Sequence, residues 1–94
     1  MAETGESPRN RVIITVLGSD RSGIVAAVTG VLAEYEANIL DISQTILQGI
    51  FTMTMLVELP DVADAFSQIQ GKLDGLCEQL DVQITMQREE VFRF

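Results

Sequence analysis

Val12-Ile13-Ile14-Thr15-Val16 is an apolar run that predicts a first strand over about residues 11–17. Ile24, Val25, Val28, Val31, Leu32 and Tyr35 then recur at spacings of one, three and four, which lays them along one face of a helix. Gly30 falls inside that helix at a cost of roughly 1 kcal/mol relative to alanine, and close packing is its expected reason. A second strand opens at Asn38-Ile39-Leu40-Asp41-Ile42 and runs on through Ser43 to Leu47. Gln48-Gly49 is a turn signal. In the third strand Phe51, Met53, Met55 and Val57 alternate with Thr52 and Thr54, so the first set is expected in the core and the second on a more polar face. Pro60-Asp61 breaks this strand and can start a second helix, in which Val62, Phe66, Ile69, Leu73, Leu76, Cys77 and Leu80 keep helical spacing. Val82, Ile84 and Met86 alternate with Gln83, Thr85 and Gln87 in a fourth strand.

The order βαββαβ predicts an α+β fold of the ferredoxin-like type, a four-stranded antiparallel sheet with both helices on one face. Strands one and three are then central and strand two lies at an edge. Residues 1–10 lack periodicity and read as a tail, which leaves a single domain over 11–94.

Composition changes this picture in one respect. A 94-residue chain with 47% hydrophobic residues carries more apolar surface than a lone small core needs, so association between chains is expected. The net charge of −8 is scattered from Glu3 to Glu90, and no basic stripe exists to neutralise phosphates, which argues against nucleic acid as a partner. No window approaches the roughly 20 apolar residues of a membrane span, and no signal peptide is legible. Cys77 is the single cysteine, expected as a buried, inert thiol, and a cytoplasmic setting is the expectation.

The same inventory thins out the chemistry. Without histidine and with one cysteine, soft-metal binding has no ligand set, and the usual proton shuttle is missing. A carboxylate pair such as Asp20 with Asp41 is the remaining catalytic arrangement, yet surface carboxylates more commonly serve as solvated or capping groups. No cofactor and no enzyme activity are expected. An RNA-binding sheet would need stacking aromatics where the third strand offers Phe51 alone. Gly18 and Gly23 have the G-x-x-x-x-G spacing of a phosphate loop, but Ile24 and Val25 stand where that motif requires Lys and Ser or Thr.

What remains is the loop "GSDRSGIV", the helix it opens, and "EANILDIS" at the start of strand two. The combination of D-R-S-G-I, then N-I-x-D-I about fifteen residues on, in a βαββαβ frame, resembles the ACT domain, and most closely its stand-alone prokaryotic members. The resemblance covers about residues 11–88. It implies a regulatory module that binds an amino acid between the loop of one chain and the start of strand two of a neighbour, and that signals to a partner protein. The residues it marks are Gly18, Ser19, Asp20, Ser22, Gly23 and Ile24 on one side, with Asn38 and Ile39 on the other. Asp20 would accept from a ligand ammonium and repel a carboxylate, which backbone N–H groups near Ser22, Gly23 and Ile24 would have to receive.

Plain structural uses compete for these residues. Asp20 can cap the helix. Asn38 can end the first helix in a left-handed conformation. Gly18 and Gly23 can serve backbone geometry, and Arg21 can be a solvated or ion-paired side chain. A ligand-free oligomerisation module is therefore the second reading. Strand two bears on both, because Ile39 to Leu47 contains no Lys or Pro and only Asp41 as a charge. It predicts a two-fold homodimer in which strand two pairs antiparallel with its mate and brings Asn38 near the other chain's Asp20 loop.

Overall fold

The computed structural model describes residues 10–19 and 23–89. They form β1 (Arg11–Ser19), α1 (Gly23–Glu34), β2 (Asn38–Leu47), β3 (Ile50–Glu58), α2 (Ala65–Leu80) and β4 (Gln83–Arg88). The strands lie in the order β2-β3-β1-β4, all antiparallel. This is the ferredoxin-like sheet expected from the pattern, with β2 and β4 as its edges.

Period-two alternation in the central strands makes the core. Val12, Ile14 and Val16 of β1 and Phe51, Met53, Met55 and Val57 of β3 are buried, as are Ile24, Val28 and Leu32 of α1 and Ile69 and Leu73 of α2. The helical residues fall four apart, so each helix sets one ridge onto the sheet. Val12 pairs with Val57, Ile14 with Met55 and Val16 with Met53, and partners on neighbouring strands share a face.

Several local expectations change. α2 begins at Ala65, not near Pro60, because Val62 N–H donates to the Pro60 carbonyl at 2.8 Å and Asp64 adopts φ 67°. That left-handed residue blocks an earlier helical start, and it leaves Val62 exposed instead of on the core face. Asn10, placed in the tail by its sequence, accepts a 2.7 Å hydrogen bond from Leu59 N–H, so the folded body reaches one residue further back. Cys77 is half-buried. Among the described residues, apart from its own helix backbone, Gly30 has no atom within 4 Å of where a Cβ would sit, so no other described element packs closely on it.

The turns show where backbone freedom is needed. Gln48 and Gly49 have φ 52° and 85°, the two positive values of a type I′ turn closing the β2–β3 hairpin. α1 ends on Glu36 at φ 58°, with Ala37 N–H donating to the Leu32 carbonyl at 2.9 Å and Glu36 N–H to the Ala33 carbonyl at 3.0 Å. This is a Schellman motif, and Asn38 lies beyond it as the first residue of β2. Ending the helix is thus the work of Glu36, and Asn38 is free of it.

Candidate functional site

β1 delivers Gly18 and Ser19 to one end of the sheet, where Gly18 pairs with Phe51 and Ser19 with Ile50. There they border a shallow groove of about 410 Å³, completed by Leu17, Gly49, Ile50, Asp81, Val82 and Gln83. Gly18 has a packing reason of its own. A Cβ at that position would come within 2.6 Å of Val82 Cγ1, so the strand end and the α2–β4 junction close on each other only over a bare backbone. Gly23, in contrast, has no atom of the other described residues within 4 Å of where its Cβ would be, so none of them packs closely on it.

Gly23 and Ile24 open α1. The Ile24 side chain is fully buried in the core, so only its backbone can face a ligand. The first-turn N–H groups have no partner within the helix, which gives this end the donors and the positive dipole that a carboxylate needs. No acidic side chain stands in the first turn of α1 to compete for them. Asp20, Arg21 and Ser22 lie outside the described residues.

Asn38 and Ile39 are elsewhere. Asn38 pairs with Glu58, which pairs in turn with Arg11, so it sits at the opposite end of the sheet from Gly18. The interval from Phe51 to Glu58 along β3 amounts to roughly 23 Å at the rise of a strand. Asn38 is exposed, while Ile39 is half-buried against the core. Both border a second groove of about 540 Å³ with Ala26, Thr29, Gly30, Leu32, Ala33 and Ala37 of α1 and its exit. Gly18 and Ser19 therefore do not meet Asn38 and Ile39 within one chain. Arg11 makes an ion pair with Glu89 at 3.5 Å at the Asn38 end.

The sequence reading missed Gly49, Ile50, Asp81 and Val82 as neighbours of Gly18 and Ser19. The signal was present in the topology: in this fold the β2–β3 turn and the α2–β4 junction fall at the sheet end where β1 finishes. Asp41 is exposed on β2, where its Oδ1 accepts a 2.9 Å hydrogen bond from Ile42 N–H. Among the described residues, no group of three or more His, Cys, Asp or Glu could hold a metal, and no helix is long and apolar enough to cross a membrane.

The described residues thus form a ferredoxin-like sheet with an open β2 edge and shallow grooves at its two ends. The chain belongs to the ACT domain family, a family of small-molecule-binding regulatory domains, and the match spans residues 10–87. It is 53% identical over 85 residues to a UPF0237 protein of Methanosarcina acetivorans, covering 90% of this chain and 92% of that one. It is 45% identical over 82 residues to a UPF0237 protein of Listeria monocytogenes, covering 87% and 92%. Among solved structures it resembles an ACT domain protein from Streptococcus pneumoniae with TM-score 0.76 and 40% identity, over 89% of this chain and 94% of that one.

Proposed function

We propose that two copies of this chain form a cytoplasmic sensor that binds an amino acid or similar small zwitterion between them and passes its occupancy to a partner protein. The observation that carries this reading is the separation of the marked residues. Gly18, Ser19 and the α1 amides stand at one end of the sheet and Asn38 at the other. Asn38 is not used by the helix end it follows, and none of the described residues packs closely on Gly23. In the proposed seat the α1 N–H groups hold the carboxylate, and the side-chain amide of Asn38 from the neighbouring copy orients the ligand.

Thermal unfolding in the presence of each of the twenty amino acids at ~10 mM tests the reading. A ligand at a hundred times its Kd adds about 2.7 kcal/mol, a rise in Tm of roughly 10–20 °C for a domain of this size. Asn38→Ala should lower the affinity at least tenfold while leaving the far-UV circular dichroism unchanged. No shift for any amino acid would favour the second reading, a ligand-free interaction module. That alternative has its own support in the exposed Ile42, Ile46, Leu47 and Ile50 along one hairpin.

A further inference from the structure

The sheet carries its helices on one face. The other face belongs to the residues that alternate with the buried ones: Ile13 stands between Val12 and Ile14, and Leu56 between Met55 and Val57. Ile13 pairs with Leu56 and with Gln87, and Leu56 pairs with Asp41, so these four make one row across β4, β1, β3 and β2. Thr85, Thr15, Thr54 and Ser43 make the next row, which is neutral and hydroxyl-bearing. An aliphatic pair thus sits in mid-sheet, with an acid at its β2 end.

A groove of about 230 Å³ crosses this face, bordered by Ile13, Leu56, Thr54, Ser43 and Asp41 and, at its other rim, by Glu89. It falls below the roughly 300–1,000 Å³ of small-molecule pockets and suits single side chains better than a free ligand. Glu89 directly follows β4, so the groove opens where the chain leaves the sheet. Residues 90–94 lie outside the described residues. In sequence, Val91-Phe92-Arg93-Phe94 is apolar with one cation, in a chain of net charge −8.

We infer that this segment folds back across the helix-free face of its own chain, with Phe92 on Ile13 and Leu56 and Arg93 against Asp41. The reach fits. Glu89 is two residues beyond Gln87, roughly 7 Å along the direction of β4, and neighbouring strands are about 4.8 Å apart. On the diagonal Leu56 is then roughly 12 Å and Asp41 roughly 16 Å from Glu89. Extended chain carries the Cα of residue 92 up to about 10 Å from Glu89 and that of residue 93 up to about 13 Å, and their long side chains span the remainder.

The chemistry fits as well. A phenylalanine ring has a large apolar area to bury, and the two aliphatic side chains offer it a seat at the centre of the row. Glu89 is already engaged by Arg11 at 3.5 Å, which leaves Asp41 as the acid of this groove for Arg93. Asp41 gives Oδ1 to Ile42 N–H and keeps Oδ2 for the guanidinium. The inference concerns the face of the sheet and stands apart from the ligand seat proposed above.

Disulfide trapping in a Cys77→Ser background tests it. Phe92→Cys is combined either with Leu56→Cys or with Val62→Cys, which borders a groove with Arg88 on the helix side and is thus also near the point where the chain leaves β4. A segment with no preferred seat would reach both, whereas the folded-back one should link to position 56 within one chain at least tenfold faster on mild oxidation. Equal rates overturn the inference. Linkage to position 56 found only as covalent dimers also overturns it, since the face would then hold the segment of another copy. Melting gives an independent readout: Phe92→Ala should lower Tm by ~5 °C or more, and an unchanged Tm overturns the seat. Arg93→Asp should lower Tm by ~2 °C or more and added Asp41→Arg should restore it, so a double variant no more stable than Arg93→Asp overturns the ion pair.

Discussion

The two edges of the sheet are built to opposite specifications. β4 is 6 residues long, and its outer face carries Gln83, Thr85 and Gln87. On the helix side Met86 is buried and Ile84 packs against the core, while the Arg88 guanidinium lies 4.6 Å from the centre of the Phe66 ring of α2. β2 is 10 residues long, and Leu40, Ile42, Ile46 and Leu47 are all exposed on it. Edge strands are normally blunted by shortness, charge or cover. β4 has two of these protections and β2 has little more than Asp41. The difference indicates which edge is finished within one chain.

The largest expected effect comes from trimming the same kind of side chain on both edges. Met86→Ala removes a buried group and should cost about 2–4 kcal/mol, lowering Tm by at least ~10 °C. Ile42→Ala should leave the Tm of dilute protein within ~3 °C, since substitutions at exposed sites stay within about 0.5 kcal/mol. Its effect should appear in sedimentation instead, as a dimer weakened at least tenfold. Equal losses of Tm would erase the contrast between the edges.

Much of this contrast was legible in the chain. Strand order follows from βαββαβ connectivity, and the lack of Lys and Pro in β2 is visible without coordinates. The alternation of Phe51, Met53, Met55 and Val57 against threonines located the core face of β3. Long-range contacts were not legible. Gly18 is needed because Val82, 64 positions later, closes over it, and no local signal marks that. The left-handed residues Glu36, Asp64 and Asp81 are not glycines, so the helix boundaries they set carry no glycine punctuation. The bulge at the start of β2 also lies below the resolution of a period-two pattern, although it decides which face Asn38 and Asp41 occupy. The candidate residues were named before the fold, yet their separation onto two sheet ends required the register.

A second comparison of middling size sharpens how tightly the β4 side is closed. Gly18→Ala drives a Cβ against Val82 and should cost about 1–3 kcal/mol of overpacking. Gly23→Ala meets no atom of the other described residues within 4 Å and gains helix propensity, so it should hold or raise Tm by an amount corresponding to at most ~1 kcal/mol. The proposed ligand seat adds a second readout, because a methyl group on Gly23 crowds the first amides of α1. Gly23→Ala should therefore reduce the amino-acid-induced rise in Tm while leaving the unliganded Tm intact. Paired melts with and without ligand separate the two glycines, and a Gly23→Ala protein as unstable as Gly18→Ala would show that the packing assignment is reversed.

The smallest expected effect concerns the one charge that β2 carries between Ile39 and Leu47. Asp41 guards the edge in two ways: its Oδ1 occupies the outward N–H of Ile42, and its charge is the sole one between Ile39 and Leu47. Asp41→Ala removes both and should tighten the dimer by roughly three- to tenfold, with little change in monomer stability because the side chain is exposed. Asp41→Asn keeps the acceptor and removes the charge. If Asn behaves like the parent chain, occupation of the Ile42 donor is what restrains pairing; if it behaves like Ala, repulsion is. Sedimentation at low and high salt distinguishes these further, since screening should narrow the gap between Asp and Asn but leave the gap between Asn and Ala. Weaker association of Asp41→Ala would mean that the carboxylate supports the interface, and β2 would then be an edge completed by its charge.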